Sequence, residues 1–429
     1  MGGMSKMKRT SRLVILLTVF ALMLAGCGGG SGEQGSSSGG DKGKQTVLRF
    51  ATWDTGEKLK VQENIAKAFE KSHQGVKVQI EPYADGFDQK LAASFGASNP
   101  PDVMLMWDFP TYHSNLEPLD AFTEKDASLK LDDIYDGLFN YVKVDGKTYG
   151  MPAGFTTRAM YYNKKVFDAM GVPYPKDGWT WDDFKDIATK LTDKSKKQYG
   201  FGVRAENDPY DLQGFIWSNG GSFISEDGKT IEGIMNGPDT VAAVQMFGNM
   251  VKDGYGVLVG GKTQLGGNDI FKAGKIGMWE SGVWPLDGFK EAKVDFGTVE
   301  MPAFPGKPVK GVISVSAVSI AKQSKQKDLA WEFVKFFISE EAVKMKSDAD
   351  LPIRKSVVQE MKLDTSELYA PFYRMLERSD NTPAFLLNSN WNQMNRHLST
   401  AVDSVMLGED AQKALDTAVK EAKKFIEKK

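Results

Sequence analysis

The chain is predicted to fold as an α/β protein with more than one sheet, and three observations carry that reading. Between Val47 and Met106 short apolar runs alternate with amphipathic stretches. A second set of such runs extends from about Phe201 to Trp279. The 429 residues, 41% hydrophobic and 26% charged, have ordinary globular composition at a length that suits two domains.

Taken in order, Val47-Leu48-Arg49-Phe50-Ala51 reads as a buried strand, and Leu59, Ile65, Ala66 and Phe69 then fall on one helical face. Val76 to Ile80 alternates as a strand, and Phe87, Leu91 and Phe95 mark a second helix, which Asn99-Pro100-Pro101 ends. Val103 to Met106 is a third strand. Strands and helices alternating with short links predict a parallel sheet with right-handed crossovers. The second unit begins with a strand at Phe201–Val203, a helix through Phe215 and Trp217, and a strand at Ile276–Trp279. Helices are expected near Asp328–Ile338 and Gln412–Ile426, the last with Leu415, Ala418, Ala422, Phe425 and Ile426 on a packing stripe.

The N-terminus carries a different kind of signal. Lys6, Lys8, Arg9 and Arg12 precede an apolar run from Leu13 to Leu24, which ends in Leu24-Ala25-Gly26-Cys27. Basic region, short apolar core and small-residue cleavage site together read as a secretory signal peptide over residues 1–26, too short to span a bilayer. The tetrapeptide resembles a bacterial lipobox, which implies that Cys27 becomes the first mature residue and carries a lipid that tethers the protein to the extracellular side of the cell membrane. Residues 27–45 form a Gly/Ser-rich flexible linker.

Cys27 is the only cysteine, which leaves no partner for a disulfide and no thiol nucleophile elsewhere. His73, His113 and His397 are far apart, and no H-E-x-x-H, G-x-S-x-G or P-loop pattern occurs. The formal charge is −2, and losing the four cations of the signal peptide leaves about −6. No basic stripe points to nucleic acid.

From Val47 onward the chain resembles the extracellular sugar-binding proteins of ABC importers, the maltose-binding-protein-like class. The stretches that carry the likeness are Pro101-Asp102-Val103, Tyr149-Gly150-Met151-Pro152, Tyr162-Asn163-Lys164, Trp181-Asp182-Asp183-Phe184, Asn219-Gly220-Gly221, Phe271-Lys272-Ala273-Gly274-Lys275-Ile276-Gly277-Met278 and Gly282-Val283-Trp284. The resemblance implies a two-lobed periplasmic-binding-protein-like fold of type II, with discontinuous lobes joined by a three-segment hinge. Crossings near Phe155, Val312 and Ile353 would give residues 46–155 plus 312–353 as lobe 1 and residues 156–311 plus 354–429 as lobe 2. It further implies a monomeric binding protein without catalysis or cofactor, whose partners are a mono- or oligosaccharide and the permease subunits of an importer.

A sugar ring offers an apolar C–H face and an equator of hydroxyls, so its site needs indole or phenol surfaces beside planar polar groups. Trp53 and Asp54 follow the first strand, and Trp107 and Asp108 the third, at the strand ends where such sheets bind ligands. The resemblance adds Trp284 as a stacking ring and Tyr210, in Asp208-Pro209-Tyr210, as a ligand residue. Glu280 is favoured over its strand neighbour Trp279 to face the cleft, Arg354 is expected to donate into it, and Trp391 to close its far end. Thr156 stands where maltose-binding relatives carry a Glu, and Arg158 is read either as a compensating donor or as half of a surface salt bridge. Asp102, Trp181, Trp217 and Trp331 are expected to be structural. Two other readings remain: a secreted glycan-degrading enzyme, which would need a carboxylate pair across the scissile bond, and a binder of iron or another non-sugar solute, suggested by Tyr161-Tyr162.

Overall fold

The computed structural model describes residues 45–204, 209–260, 266–347 and 350–426. The signal peptide, Cys27 with its linker, and Asp208 lie outside these residues. The strands in chain order are β1 (Thr46–Thr52), β2 (Val76–Pro82), β3 (Val103–Met106), the short pair β4 (Lys143–Val144) and β5 (Lys147–Thr148), β6 (Met151–Thr156), β7 (Ala159–Asn163), β8 (Tyr199–Arg204), β9 (Gly256–Val259), β10 (Ile276–Ser281), β11 (Phe296–Val299) and β12 (Ser314–Ile320). Two five-stranded sheets result, ordered β2-β1-β3-β12-β6 and β11-β7-β10-β8-β9.

The expected parallel unit is present: β1 pairs in parallel with β2 and β3, joined by helices Gly56–Ser72 and Phe87–Gly96. Neither sheet is purely parallel, however. In the first, β12 runs antiparallel to both β3 and β6, and in the second, β7 runs antiparallel to β10 and β11. The cause is connectivity. The chain leaves the first sheet at β6, enters the second at β7 after only Thr157 and Arg158, and returns from β11 to β12. Each exchange delivers a strand from the neighbouring lobe rather than through a same-sheet crossover.

Each sheet buries aromatic rings under its helices. On the first, Phe50 meets Phe333 and Phe337 of helix Lys327–Phe337 edge-on, at centroid distances of 5.3 and 5.4 Å. On the second, Trp181 packs edge-on against Phe184 at 5.0 Å. Helix Trp181–Leu191 starts with a complete capping box, in which Thr180 Oγ1 accepts from Asp183 N and the Asp183 carboxylate accepts from Thr180 N. Trp217 and Trp331 are buried as expected. Asp102 is structural too: it accepts from Arg49 N, Ser324 Oγ and Gln326 Nε2, tying β1 to the turn before helix Lys327–Phe337. A third tie between segments is the bridge of Leu351 to Phe155, through Leu351 N to Phe155 O at 2.9 Å.

Candidate functional site

Strand β6 ends beside the start of β12, with Phe155 opposite Val315 and Thr156 opposite Ser314. Above this pair lie two adjoining cavities of about 270 and 380 Å³, which share Trp107, Ser314 and Val315.

The first cavity has three indoles in its wall: Trp53, Trp107 and Trp284. Trp53 follows β1 and is braced edge-on by Phe87 at 5.2 Å. Trp107 follows β3 and is 44% exposed, while Trp284 follows β10 and is 41% exposed. So much open indole surface is unusual in a folded protein and marks a contact surface. Gly282 makes room for the Trp284 ring, since a Cβ there would lie 2.4 Å from it. Val283 N donates to Thr156 Oγ1 at 3.1 Å, fixing this loop to the first crossing.

The polar part of the first cavity includes Asp54, Lys58, Gln62, Ser316, Lys346 and Asp350, beside Thr156 and Ser314. Gln62 Nε2 donates to Asp54 Oδ2 at 2.6 Å. Lys346 Nζ donates to Ala153 O at 2.6 Å and Phe337 O at 3.1 Å, and burial lowers its pKa to about 7. Burial raises the pKa of Asp350, opposed by the nearby charges of Lys58 and Lys346. Two acids and two lysines thus line the cavity, and burial favours the neutral forms of Lys346 and Asp350.

The second cavity adds Arg158, Tyr210, Asp211, Phe385, Trp391 and Asn392. Tyr210 packs against Phe385 at 5.7 Å and donates its hydroxyl to Ile313 O, so its polar end holds the connecting strand. Trp391 is buried and stacks with Phe223. Arg158 is buried between two acids: it donates to Asp211 Oδ1, and its Nε lies 3.3 Å from Glu280 Oε1. Its guanidinium also covers Trp284 at 4.7 Å from the ring centroid.

Among the residues expected at the site, the structure therefore brings Trp53, Asp54, Trp107 and Trp284 around the first cavity, and Trp107, Tyr210 and Trp391 around the second. Three others stand elsewhere. Asp108 is buried and caps helix Phe109–Tyr112 by accepting from Thr111 N, because the backbone turns into a helix immediately after Trp107. Glu280 lines neither cavity and sits beneath Arg158 and Arg204, where burial raises its pKa and the arginines pull it down. Arg354 is buried away from both cavities, donating to Ile338 O, Leu129 O and Asp133 Oδ2. Arg158, left between two roles above, makes salt bridges that are buried rather than at the surface, and it also covers the Trp284 ring.

The sequence reasoning missed Gln62, Lys346, Asp350 and Asp211. Gln62 did carry a signal: it shares the buried face with Ile65, Ala66 and Phe69 at helical spacing, a polar residue on an apolar stripe. Tyr161 and Tyr162 form no paired site, because Tyr161 is fully buried with its hydroxyl donated to Gly282 O, while its strand neighbour packs on Phe167 and Tyr174. Among the described residues no cluster of three His, Cys, Asp or Glu could hold a metal ion, and no helix is long and apolar enough to cross a membrane.

The model of the bacterial extracellular solute-binding protein family matches residues 53–344. The galactooligosaccharide-binding protein of Bacillus subtilis is 26% identical over 441 residues, covering 99% of each chain. A maltooligosaccharide ABC transporter solute-binding lipoprotein of Streptococcus pneumoniae is 27% identical over 442 residues, again covering 99% of each. Among solved structures, an ABC substrate-binding protein of Listeria monocytogenes in complex with cycloalternan superposes with a TM-score of 0.79 at 25% identity, covering 90% of this chain and 100% of that one.

Proposed function

Because this chain belongs to the bacterial extracellular solute-binding protein family, we propose that it captures a neutral carbohydrate in the cleft between its two sheets and delivers it to the permease subunits of an ABC importer. The observation that carries this reading is the first cavity: three indoles stand around polar groups of both signs, with neither sign in large excess. Indole faces bind the C–H side of a pyranose, and carboxylate, amide and ammonium groups bind its hydroxyls. An ionic solute would instead favour an excess of one sign.

Contacts from both lobes let the ligand shift the population toward a closed form, which the importer reads. Relatives named as oligosaccharide-binding proteins support the solute class, and the family consists of binding proteins rather than enzymes. Lipid attachment at Cys27, through the linker of residues 27–45, would keep a monomeric binding protein at the outer face of the membrane, and the lipoprotein relative supports this anchoring. We place lobe 1 at residues 46–155 plus the segment from 312, and lobe 2 at residues 156–311 plus the C-terminal segment. The third crossing is proposed after Ser356, which still bonds Asp133, and before Glu367, whose carbonyl accepts from Thr298.

Titration of the purified chain with mono- and oligosaccharides, followed by tryptophan fluorescence, tests the proposal. A saturable change with a neutral sugar is expected. Response to charged solutes alone would overturn it.

A further inference from the structure

The two ends of the first sheet differ in chemistry. The cleft lies at one, because Trp53 and Trp107 follow the carboxyl ends of β1 and β3. At the other, β1, β2 and β3 begin, and β12, antiparallel to β3, finishes. The chain arrives from the N-terminus at this second end. There Thr46 N donates to Gly75 O at 2.8 Å, and Val47 O accepts from Gln326 Nε2 at 2.7 Å.

The turns around this point are basic. His73–Val76, Ala97–Asp102 and Ala321–Gln326 contain one acid, Asp102, which is buried and already holds three donors. Lys322 and Lys325 in the last turn, and Lys71 in the final turn of helix Gly56–Ser72, are exposed and have no ion-pair partner among the described residues. Lys77 and Lys327, by contrast, are neutralised by Glu70 at 3.1 Å and Glu117 at 2.7 Å. One exposed acid, Asp328, follows. Val47, opposite Lys77 in the sheet, adds an apolar side chain that is 41% exposed.

Uncompensated lysines beside an open valine, on a chain whose formal charge is −2, suit a surface of anionic headgroups. Each lysine near such a surface contributes about fivefold in affinity. The N-terminal segment brings that surface within reach. Eighteen residues separate Cys27 from Thr46, and a Gly/Ser-rich length of this kind spans about 20–25 Å. Weak contacts over so short a tether act at high effective concentration.

We infer that the base of the first sheet rests on the anionic phospholipid headgroups of the membrane to which Cys27 is tethered, through Lys71, Lys322 and Lys325. The inference rests on the lipid-anchor reading of Cys27. The cleft is then held beyond the far end of a strand of seven residues, about 23 Å from the headgroups. That exceeds the screening length of about 8 Å at physiological salt, so membrane charge orients the molecule without altering the site.

The test couples the purified chain through the thiol of Cys27, its only cysteine, to a maleimide lipid. The vesicles are equal parts phosphatidylglycerol and phosphatidylcholine, or phosphatidylcholine alone, and amine acetylation is followed lysine by lysine by mass spectrometry. Labelling of Lys71, Lys322 and Lys325 is expected to slow by about threefold or more on the anionic vesicles only, and the difference should vanish at about 1 M salt. Lys190 and Lys252, on helices Trp181–Leu191 and Pro238–Asp253, should label equally on both. Without the tether, Lys71→Gln, Lys322→Gln and Lys325→Gln together should lower retention on anionic vesicles about tenfold or more and leave the thermal midpoint unchanged. Equal labelling of the three lysines on both kinds of vesicle, or slowing that salt does not reverse, would overturn the inference. Because this tether is made chemically, neither result depends on whether cells lipidate Cys27, which palmitate incorporation by wild type but not by Cys27→Ser decides separately.

Discussion

Arg158 covers the indole of Trp284 at 4.7 Å while facing Asp211 on one side and Glu280 on the other. The contact joins the first crossing between the sheets to the loop after β10. A buried cation thereby orients a ring that is itself 41% exposed, which is the condition under which an aromatic can bind a ligand without first losing rotamer freedom.

Replacing Trp284 by Ala should weaken sugar binding by more than tenfold, or about 1.4 kcal/mol, with the thermal midpoint little changed because the ring is open to solvent. Calorimetry on the variant decides the point, and unchanged affinity would remove Trp284 from the site.

Arg158→Met leaves Glu280 buried with only Arg204 to balance it. Breaking a buried ion pair on one side costs about 3–5 kcal/mol, so the midpoint of urea unfolding should fall sharply. Adding Glu280→Gln removes the stranded charge and should restore part of the loss. Strict additivity of the two substitutions would show that the residues are not coupled.

Lys346 gives a pH signature. Its pKa is lowered from 10.5 to about 7 by burial. Between these values the unfolded chain holds a proton that the native chain has released, so native stability rises with pH across that window and is flat below it. Measured by urea unfolding, the stability of the wild type relative to Lys346→Met should increase between pH 7 and pH 10. A constant difference would mean that the buried amine stays protonated throughout.

Gly154 lies on β6 beneath Asp350, and a Cβ at that position would sit 2.6 Å from Asp350 Oδ2 and 2.7 Å from its Cβ. Gly154→Ala should therefore push Asp350 away from the first cavity, costing about 1–3 kcal/mol of stability and weakening ligand binding. Wild-type melting temperature and affinity together would refute this packing.

The strand and helix pattern of the first lobe was readable because periodicity reports burial directly. Val47, Val76 and Val103 all lie in strands, and Leu91 and Phe95 lie on a buried helical face. The indoles at strand ends were readable for the same reason, since a strand tip that points at a crevice follows from topology. The polar residues were less so. Asp54 and Asp108 occupy equivalent places after Trp53 and Trp107, yet one lines the cavity and the other is drawn into a helix cap. That choice depends on what the next few residues do. Lys346 and Asp350 lie far along the chain from the strands they meet, in a segment whose sequence gives no sign of its neighbours. Long-range placement of this kind is decided by packing, which periodicity does not encode.

The base of the first cavity includes Ala153, Phe155 and Thr156 of β6 together with Ser314, Val315 and Ser316 of β12. These same strands carry the chain between the two sheets, so the floor of the proposed site is also the material that a change of angle between the sheets would bend. A change of residue there alters recognition and flexing together. Under the proposed reading, adaptation to a different sugar is freer at Trp53 and Trp107, which stand apart from this linkage, than at Trp284, which is tied to it through Arg158 and through the bond of Val283 N to Thr156.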